Sequence, residues 1–229
     1  SGNATINATV KNGGKAYDGV IHLKEANLGY LLKQDTLLGK FSLDAVVKGA
    51  GTDYKTMHTS LTANLQSGTF KGFTYHDLSL EALLNNGQAI FSSSMQEPSF
   101  SYSLNGESNL NGKYPSLHLD LQLDTANLQA LHWYNDTLSI HGKLLAQFTS
   151  LNPDEPEGTV LINNISITKD KLHVGTDSIY LLAEKNDTAN HLYLYTETAK
   201  LDLRGKYQLT HTDAALKQAF EQYYNTVSK

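Results

Sequence analysis

An all-β fold, an antiparallel sheet built from two similar units, is what this 229-residue sequence predicts. Three observations carry that expectation. Apolar and polar residues alternate: Leu117, Leu119, Leu121 and Leu123 are separated by His118, Asp120 and Gln122, which gives a strand one aliphatic and one polar face. The chain also nearly repeats itself. Ala26-Asn27-Leu28 and Asp35-Thr36-Leu37 return as Ala126-Asn127-Leu128 and Asp136-Thr137-Leu138, and Asp77-Leu78-Ser79-Leu80 falls opposite Ser178-Ile179-Tyr180-Leu181 with the apolar register kept and polar identity mostly lost. Finally, Asn12-Gly13-Gly14, Asn86-Gly87, Asn105-Gly106, Asn111-Gly112 and Lys185-Asn186-Asp187 punctuate the alternating runs as turns, so short strands follow one another in a meander.

Taken in order, residues 5–10 open as a strand, and further strands are expected at 41–47, 61–65, 78–82, 100–104, 117–123, 144–148, 165–167, 192–194, 201–203 and 207–209. Residues 26–33 and 126–134 change to a spacing of three and four, through Leu28, Leu31 and Leu32 in one and Leu128, Leu131 and Trp133 in the other, which predicts two short helices able to cover an open end of the sheet. From residue 212, a Thr/Asp start followed by Leu216, Phe220, Tyr223 and Val227 predicts an amphipathic C-terminal helix. The expected organisation is a first unit over 1–104, a second over 105–211 that continues the same sheet, and the helix over 212–229.

Composition removes several function classes. A net charge of −5 with 18% charged residues and no basic run leaves no footprint for a phosphate backbone, so nucleic acid is not expected as a partner. With no cysteine there is neither a disulfide scaffold nor a thiolate nucleophile. No run approaches the roughly 20 apolar residues that cross a bilayer as a helix. The start without methionine, directly before an alternating stretch, is the start expected of a piece of a longer protein, and signal-peptide removal leaves a similar one.

The search for chemistry ends without an active site. The nine histidines stand singly, none paired at the helical i, i+4 spacing of a zinc site, and no metal or other cofactor is expected. Asp44, Asp120, Asp124 and Glu197 alternate with apolar residues as ordinary outward positions, and no nucleophile elbow, P-loop or dinucleotide fingerprint occurs, so the chain is not expected to be an enzyme. Tyr102, Tyr180, Tyr193, Tyr195 and Tyr207 are the candidates for a sugar-stacking platform, against the plainer reading of cross-strand packing. Alternation alone leaves two arrangements open: a closed sandwich with a sealed core, and a sheet with an accessible apolar face.

Long alternating strands that end in Asp124-Thr125-Ala126-Asn127-Leu128, followed by the stretch from Asp136 to Leu144, resemble the AsmA/TamB superfamily of envelope proteins. Leu110-Asn111-Gly112-Lys113-Tyr114-Pro115 and Leu203-Arg204-Gly205-Lys206-Tyr207 are similar to TamB-like translocation and assembly proteins of Bacteroidetes-type bacteria. The resemblance implies a sheet curled into a taco- or gutter-like trough, in a periplasmic segment of a parent protein anchored in the inner membrane. It also implies phospholipid acyl chains as cargo between inner and outer membranes, and an outer-membrane β-barrel protein as an assembly partner. Membrane contact would pass through other parts of the parent protein. On that reading the trough is lined by Leu43, Ala45, Val47, Leu61, Leu65, Leu78, Leu80, Phe91, Phe100, Leu117, Leu119, Leu121, Ile140, Leu144, Phe148, Ile165 and Ile179. The rivals are a sandwich that binds glycans or proteins at its surface and a sandwich hydrolase with a dispersed site.

Overall fold

The structure, a computed structural model, describes residues 2–11, 15–170, 172–186, 188–206 and 208–211. Thirteen strands follow one another: β1 (Asn3–Lys11), β2 (Ala16–Asn27), β3 (Leu38–Ala50), β4 (His58–Phe70), β5 (Phe73–Asn85), β6 (Gln88–Glu97), β7 (Phe100–Asn109), β8 (Leu117–Asn127), β9 (Leu138–Ser150), β10 (Glu157–Lys169), β11 (Leu172–Lys185), β12 (Asn190–Thr196) and β13 (Lys200–Gly205). A five-residue helix, α1 (Leu28–Leu32), joins β2 to β3. The strands pair antiparallel in chain order from β1 to β13, in one sheet that does not close on itself. Asn86-Gly87 makes the tight turn between β5 and β6 with φ of 49° and 74°, the pair of left-handed residues that matches the twist of a two-residue hairpin.

The repeat is structural. β2–β7 correspond to β8–β13, and β3 and β9 span 13 residues each, one hundred positions apart. Each unit has a register shift near the end of its first strand, between Leu23 and Ala26 and between Leu123 and Ala126. The recurring Ala-Asn-Leu motif now has a physical reading. The alanine is buried at the strand end, with Ala26 and Ala126 both 4% exposed. The asparagine side chain then caps the following turn, with Asn27 Oδ1 accepting from the Tyr30 N–H and Asn127 Oδ1 from the Ala130 N–H, both at 3.0 Å.

Register shifts beside Leu23, Leu43, Tyr102 and Leu123, and between Asn163 and Ser166, fall along one line across the sheet, while two others, between Leu38 and Phe41 and between Glu157 and Gly158, lie away from it. Asp77 and Asn164, at φ of 53° and 51°, supply left-handed residues on that line, a conformation that Asp and Asn tolerate better than most side chains. Bulges bend the strands that carry them, so a row of bulges acts as a crease.

Four local expectations are corrected. Residues 128–132 form turns and not a helix: the Leu131 N–H reaches the Asn127 carbonyl at 3.0 Å, but His132 at φ 59° ends the helical path after one turn. In the first unit the helix is shorter than 26–33, because Lys33 at φ 55° stops it. Asn105-Gly106 lies inside β7 and is not a turn. Leu209 sits in a 3-10 turn, Leu209–His211, tied by the Thr210 backbone and hydroxyl to Asp154, and not in a strand. The 104/105 division falls within β7, and the strand equivalences put the join between units in the loop of residues 110–116. The C-terminal helix expected over 212–229 lies outside the described residues, as do Asn12-Gly13-Gly14 and Tyr207.

Candidate functional site

Cross-strand partners project to the same side of a sheet, so the registers assemble its faces row by row. One row runs Ala8, Gly19, Val47, Leu61, Ala82, Phe91, Gly106, Leu119, Ala146, Val160, Leu181, Leu194 and Leu201, without a polar side chain across all thirteen strands. The next runs Ile6, Ile21, Ala45, Ala63, Leu80, Ser93, Leu104, Leu121, Leu144, Ile162, Ile179 and Thr196, with Ser93 and the terminal Thr196 its polar members. All seventeen residues expected to line a trough lie on this one face, and each is half-buried: none is buried and none is fully open.

That intermediate state is informative. Among the described residues the buried apolar ones are Tyr75, Met95, Leu131 and five alanines. A closed sandwich of this length seals large side chains along both inner faces. The chain exposes 14882 Å², where a compact monomer of 25.2 kDa exposes about 10,000 Å². Among the described residues a second sheet does not cover the apolar face.

Aromatic residues lie flat on this face, each across a glycine of the neighbouring strand. Phe91 pairs with Gly106, Phe41 with Gly68, Phe148 with Gly158 and Tyr17 with Gly49. A Cβ on Gly106 would come within 2.2 Å of the Phe91 ring, and one on Gly68 within 2.7 Å of Phe41. The rings therefore cover backbone and leave the apolar surface shallow. Tyr17 reaches past Gly49 to hydrogen-bond the Thr59 hydroxyl on β4.

One patch of the face is covered. The turn after β8 folds back so that Leu131, 0% exposed, packs with Tyr75 of β5 and Met95 of β6, over Leu65, Leu78, Phe100 and Tyr102. The His132 ring nitrogen Nδ1 meets the Lys71 carbonyl, in the β4–β5 turn, at 2.9 Å, and Trp133 lies 6.0 Å from the Phe100 ring. The Tyr75 hydroxyl is buried here and makes no hydrogen bond. Burial pushes its pKa up, an effect that the nearby Trp133 indole offsets in part without reaching hydrogen-bond geometry.

The chain matches no family model, no curated protein and no solved structure. The geometry therefore carries the functional argument. Among the described residues no three His, Asp or Glu side chains gather as metal ligands, and no helix is long and apolar enough to cross a membrane.

On the opposite face polar residues dominate and pair across strands. His22 Nδ1 meets Asp44 Oδ1 at 2.5 Å while Gln66 donates to Asp44 Oδ2 at 2.7 Å, and His22's hydrogen bond is the main cause holding the Asp44 pKa below its ordinary value. His76 pairs in the same way with Glu97. A shallow groove on this side runs between Thr62, Glu81 and Asp120 on one flank and Leu83, Ile90 and His118 on the other. Of the candidate aromatic platform, Tyr180, Tyr193 and Tyr195 share this polar face, with Tyr180 and Tyr193 edge-on at 6.5 Å, whereas Tyr102 lies on the apolar face. The sequence reading missed Tyr75, Met95 and the aromatic–glycine pairs, because each depends on cross-strand register that alternation does not encode.

Proposed function

We propose that the apolar face is a trough that shelters phospholipid acyl chains, in the manner of the AsmA/TamB-like envelope proteins the sequence resembles, within a periplasmic segment that moves lipid between the inner and outer membranes. The observation that carries this reading is the apolar row unbroken from Ala8 to Leu201, with no second sheet over it among the described residues. Thirteen strands at about 4.8 Å spacing make a path of roughly 58 Å. Each CH₂ kept out of water along it retains about 0.8 kcal/mol, so a chain slides without a large barrier and no catalytic group is required.

Two features support the curled, taco-like shape. The bulges form a crease parallel to the path. The turn at residues 128–132, anchored at the end of β8, also reaches β5 and the β4–β5 turn, three strands away and about 14 Å along a flat sheet; a bowed sheet brings them within reach of one turn. Assistance to outer-membrane β-barrel assembly is the companion role of such a scaffold, since the described sheet does not close on itself and an open sheet pairs with added strands at its edges. The rival surface-binding role has its own observation in the tyrosines on the polar face.

The test is photo-crosslinking from Leu80 and Leu119, and from Asp120 on the polar face, in protein purified from a Gram-negative host, with native mass spectrometry for bound lipid. Phospholipid crosslinked at the two leucines and not at residue 120 is the expected result. Leu119→Asp or Leu121→Arg should remain folded and lose the lipid. No lipid in a folded sample, or unfolding of both charge variants, would overturn the trough and turn attention to Tyr180, Tyr193 and Tyr195.

A further inference from the structure

The segment that covers part of the apolar face, residues 128–134, is internally rigid and lightly fastened. The Leu131 N–H donates to the Asn127 carbonyl at 3.0 Å, the Ala130 N–H to Asn127 Oδ1 at 3.0 Å, and the Trp133 and Tyr134 N–H groups to the Leu128 carbonyl at 2.9 and 3.1 Å. The Gln129 side chain donates to the Asn135 carbonyl and accepts from the Thr137 hydroxyl. At its root the Leu128 N–H reaches the Leu138 carbonyl at 2.8 Å, and Lys169, the cross-strand partner of Leu138, lies over the Tyr134 ring. Away from that root, the polar tie to the sheet among the described residues is one hydrogen bond, from His132 Nδ1–H to the Lys71 carbonyl at 2.9 Å. Swinging the segment about Asn127 and Leu138 therefore costs that bond and the apolar seat of Leu131, and breaks none of its backbone hydrogen bonds.

The seat itself has the character of a binding site. Leu131 packs with Tyr75 and Met95 over Leu65, Leu78 and Phe100, and those last three belong to the apolar face read as a trough. Tyr75 is 8% exposed, and its buried hydroxyl has no hydrogen bond. Packing against a leucine requires no hydroxyl, and phenylalanine would fill the place without stranding an oxygen. Leu131 brings no acceptor to that hydroxyl; an acyl chain headed by an ester does.

We propose that residues 128–134 are a hinged flap over a phospholipid site in the trough. With the flap closed, Leu131 stands where one acyl chain would lie; with it open, the Tyr75 hydroxyl donates to the ester carbonyl at the head of that chain. Lipid binds the open form alone and so draws the population toward it. The proposal rests on the reading of the apolar face as an acyl-chain trough, and adds to it a gate and a residue that distinguishes an acyl ester from an ether-linked chain.

The chain has no cysteine and a single tryptophan, Trp133, which stands on the flap 6.0 Å from the Phe100 ring. Leu131→Cys and Leu119→Cys therefore each introduce one reactive thiol, on the flap and on the open row. Labelling rates are measured with and without diheptanoyl phosphatidylcholine, an ester phospholipid kept below its micelle concentration, and with its diether analogue; Trp133 emission is followed in the unmodified chain. Ester lipid should slow labelling at position 119 and speed it at position 131, the latter at least about tenfold as a minor open state becomes the major one. Tyr75→Phe should raise the lipid concentration needed for the response at position 131 by about three- to tenfold, the range one hydrogen bond supplies, and bring ester and diether level. Protection at position 119 with no acceleration at 131 and no change in Trp133 emission would overturn the flap and leave the trough standing. No response at any of the three positions would overturn the trough, and the flap with it. Equal responses to ester and diether in the unmodified chain would overturn the role of Tyr75. If Leu131→Cys labels fast without lipid, Trp133 decides: emission that shifts over the same lipid range as the protection at 119 supports the flap, and fixed emission overturns it.

Discussion

Across strands β4 to β8 the row Leu61, Ala82, Phe91, Gly106, Leu119 is apolar throughout, while the row behind it, one residue along, is Thr62, Glu81, Ser92, Asn105, Asp120. The polar row is stable facing water, because its groups exchange protein partners for solvent at little net cost. The apolar row is not, since each Å² it leaves in water forgoes about 25 cal/mol. Among the described residues the patch under Leu131 is the covered part of that face, and the rest of the row is the surface that the proposed trough would use. The contrast is less complete toward β9–β12, where Leu145, Leu161, Tyr180 and Tyr195 form a line on the polar side. The first unit separates its faces more cleanly than the second.

Within the apolar face, the covered patch and the open rows should respond differently to the same truncation. Leu131→Ala empties a site with no solvent access and is expected to cost about 2–5 kcal/mol in denaturant unfolding. Leu119→Ala, on a half-buried row, should cost about 1 kcal/mol or less. Equal costs would mean that the open row is sealed like the covered patch, and the comparison of faces would have to be redrawn.

The flat aromatic–glycine pairs come next in size. Gly106→Ala drives a methyl group into the Phe91 ring and should destabilise by about 1–3 kcal/mol. Combined with Phe91→Ala it should cost less than the two single changes added together, with a coupling of about 1 kcal/mol or more, because the clash disappears with the ring. Strict additivity would show that Phe91 does not lie across Gly106.

Much of this architecture is legible in the sequence, for a specific reason. A period of two assigns each residue to a face without knowledge of its neighbours, so Leu117, Leu119 and Leu121 were assignable from spacing, as was the polar place of His118 and Asp120. What needs a partner was not legible. Asn105-Gly106 reads as a turn in isolation, and only the register with β6 shows that Gly106 is small because Phe91 lies over it. Leu31 and Leu131 stand in the same local motif, yet one is exposed and the other buried, since burial depends on strands that local spacing does not specify. The crease was hidden too: a bulge adds one residue on one strand, and Asp77 or Asn164 looks like any polar position until its neighbours are paired.

The smallest effect concerns the one polar atom stranded on the covered patch of the apolar face. The buried Tyr75 hydroxyl has lost water without gaining a hydrogen bond, so Tyr75→Phe should raise stability by about 1 kcal/mol. The same residue gives the patch a pH dependence whose sign is fixed by its environment. Burial disfavours the phenolate and raises the folded pKa above the unfolded value of about 10. The contribution of the neutral phenol is therefore fully present below that unfolded value and is lost as pH rises through the folded pKa. Wild-type protein should lose stability on the alkaline side of pH 10 more steeply than Tyr75→Phe, as read from denaturant midpoints at a series of pH values. Parallel curves would place Tyr75 in contact with solvent, and the patch under Leu131 would then be as open as the rest of the face.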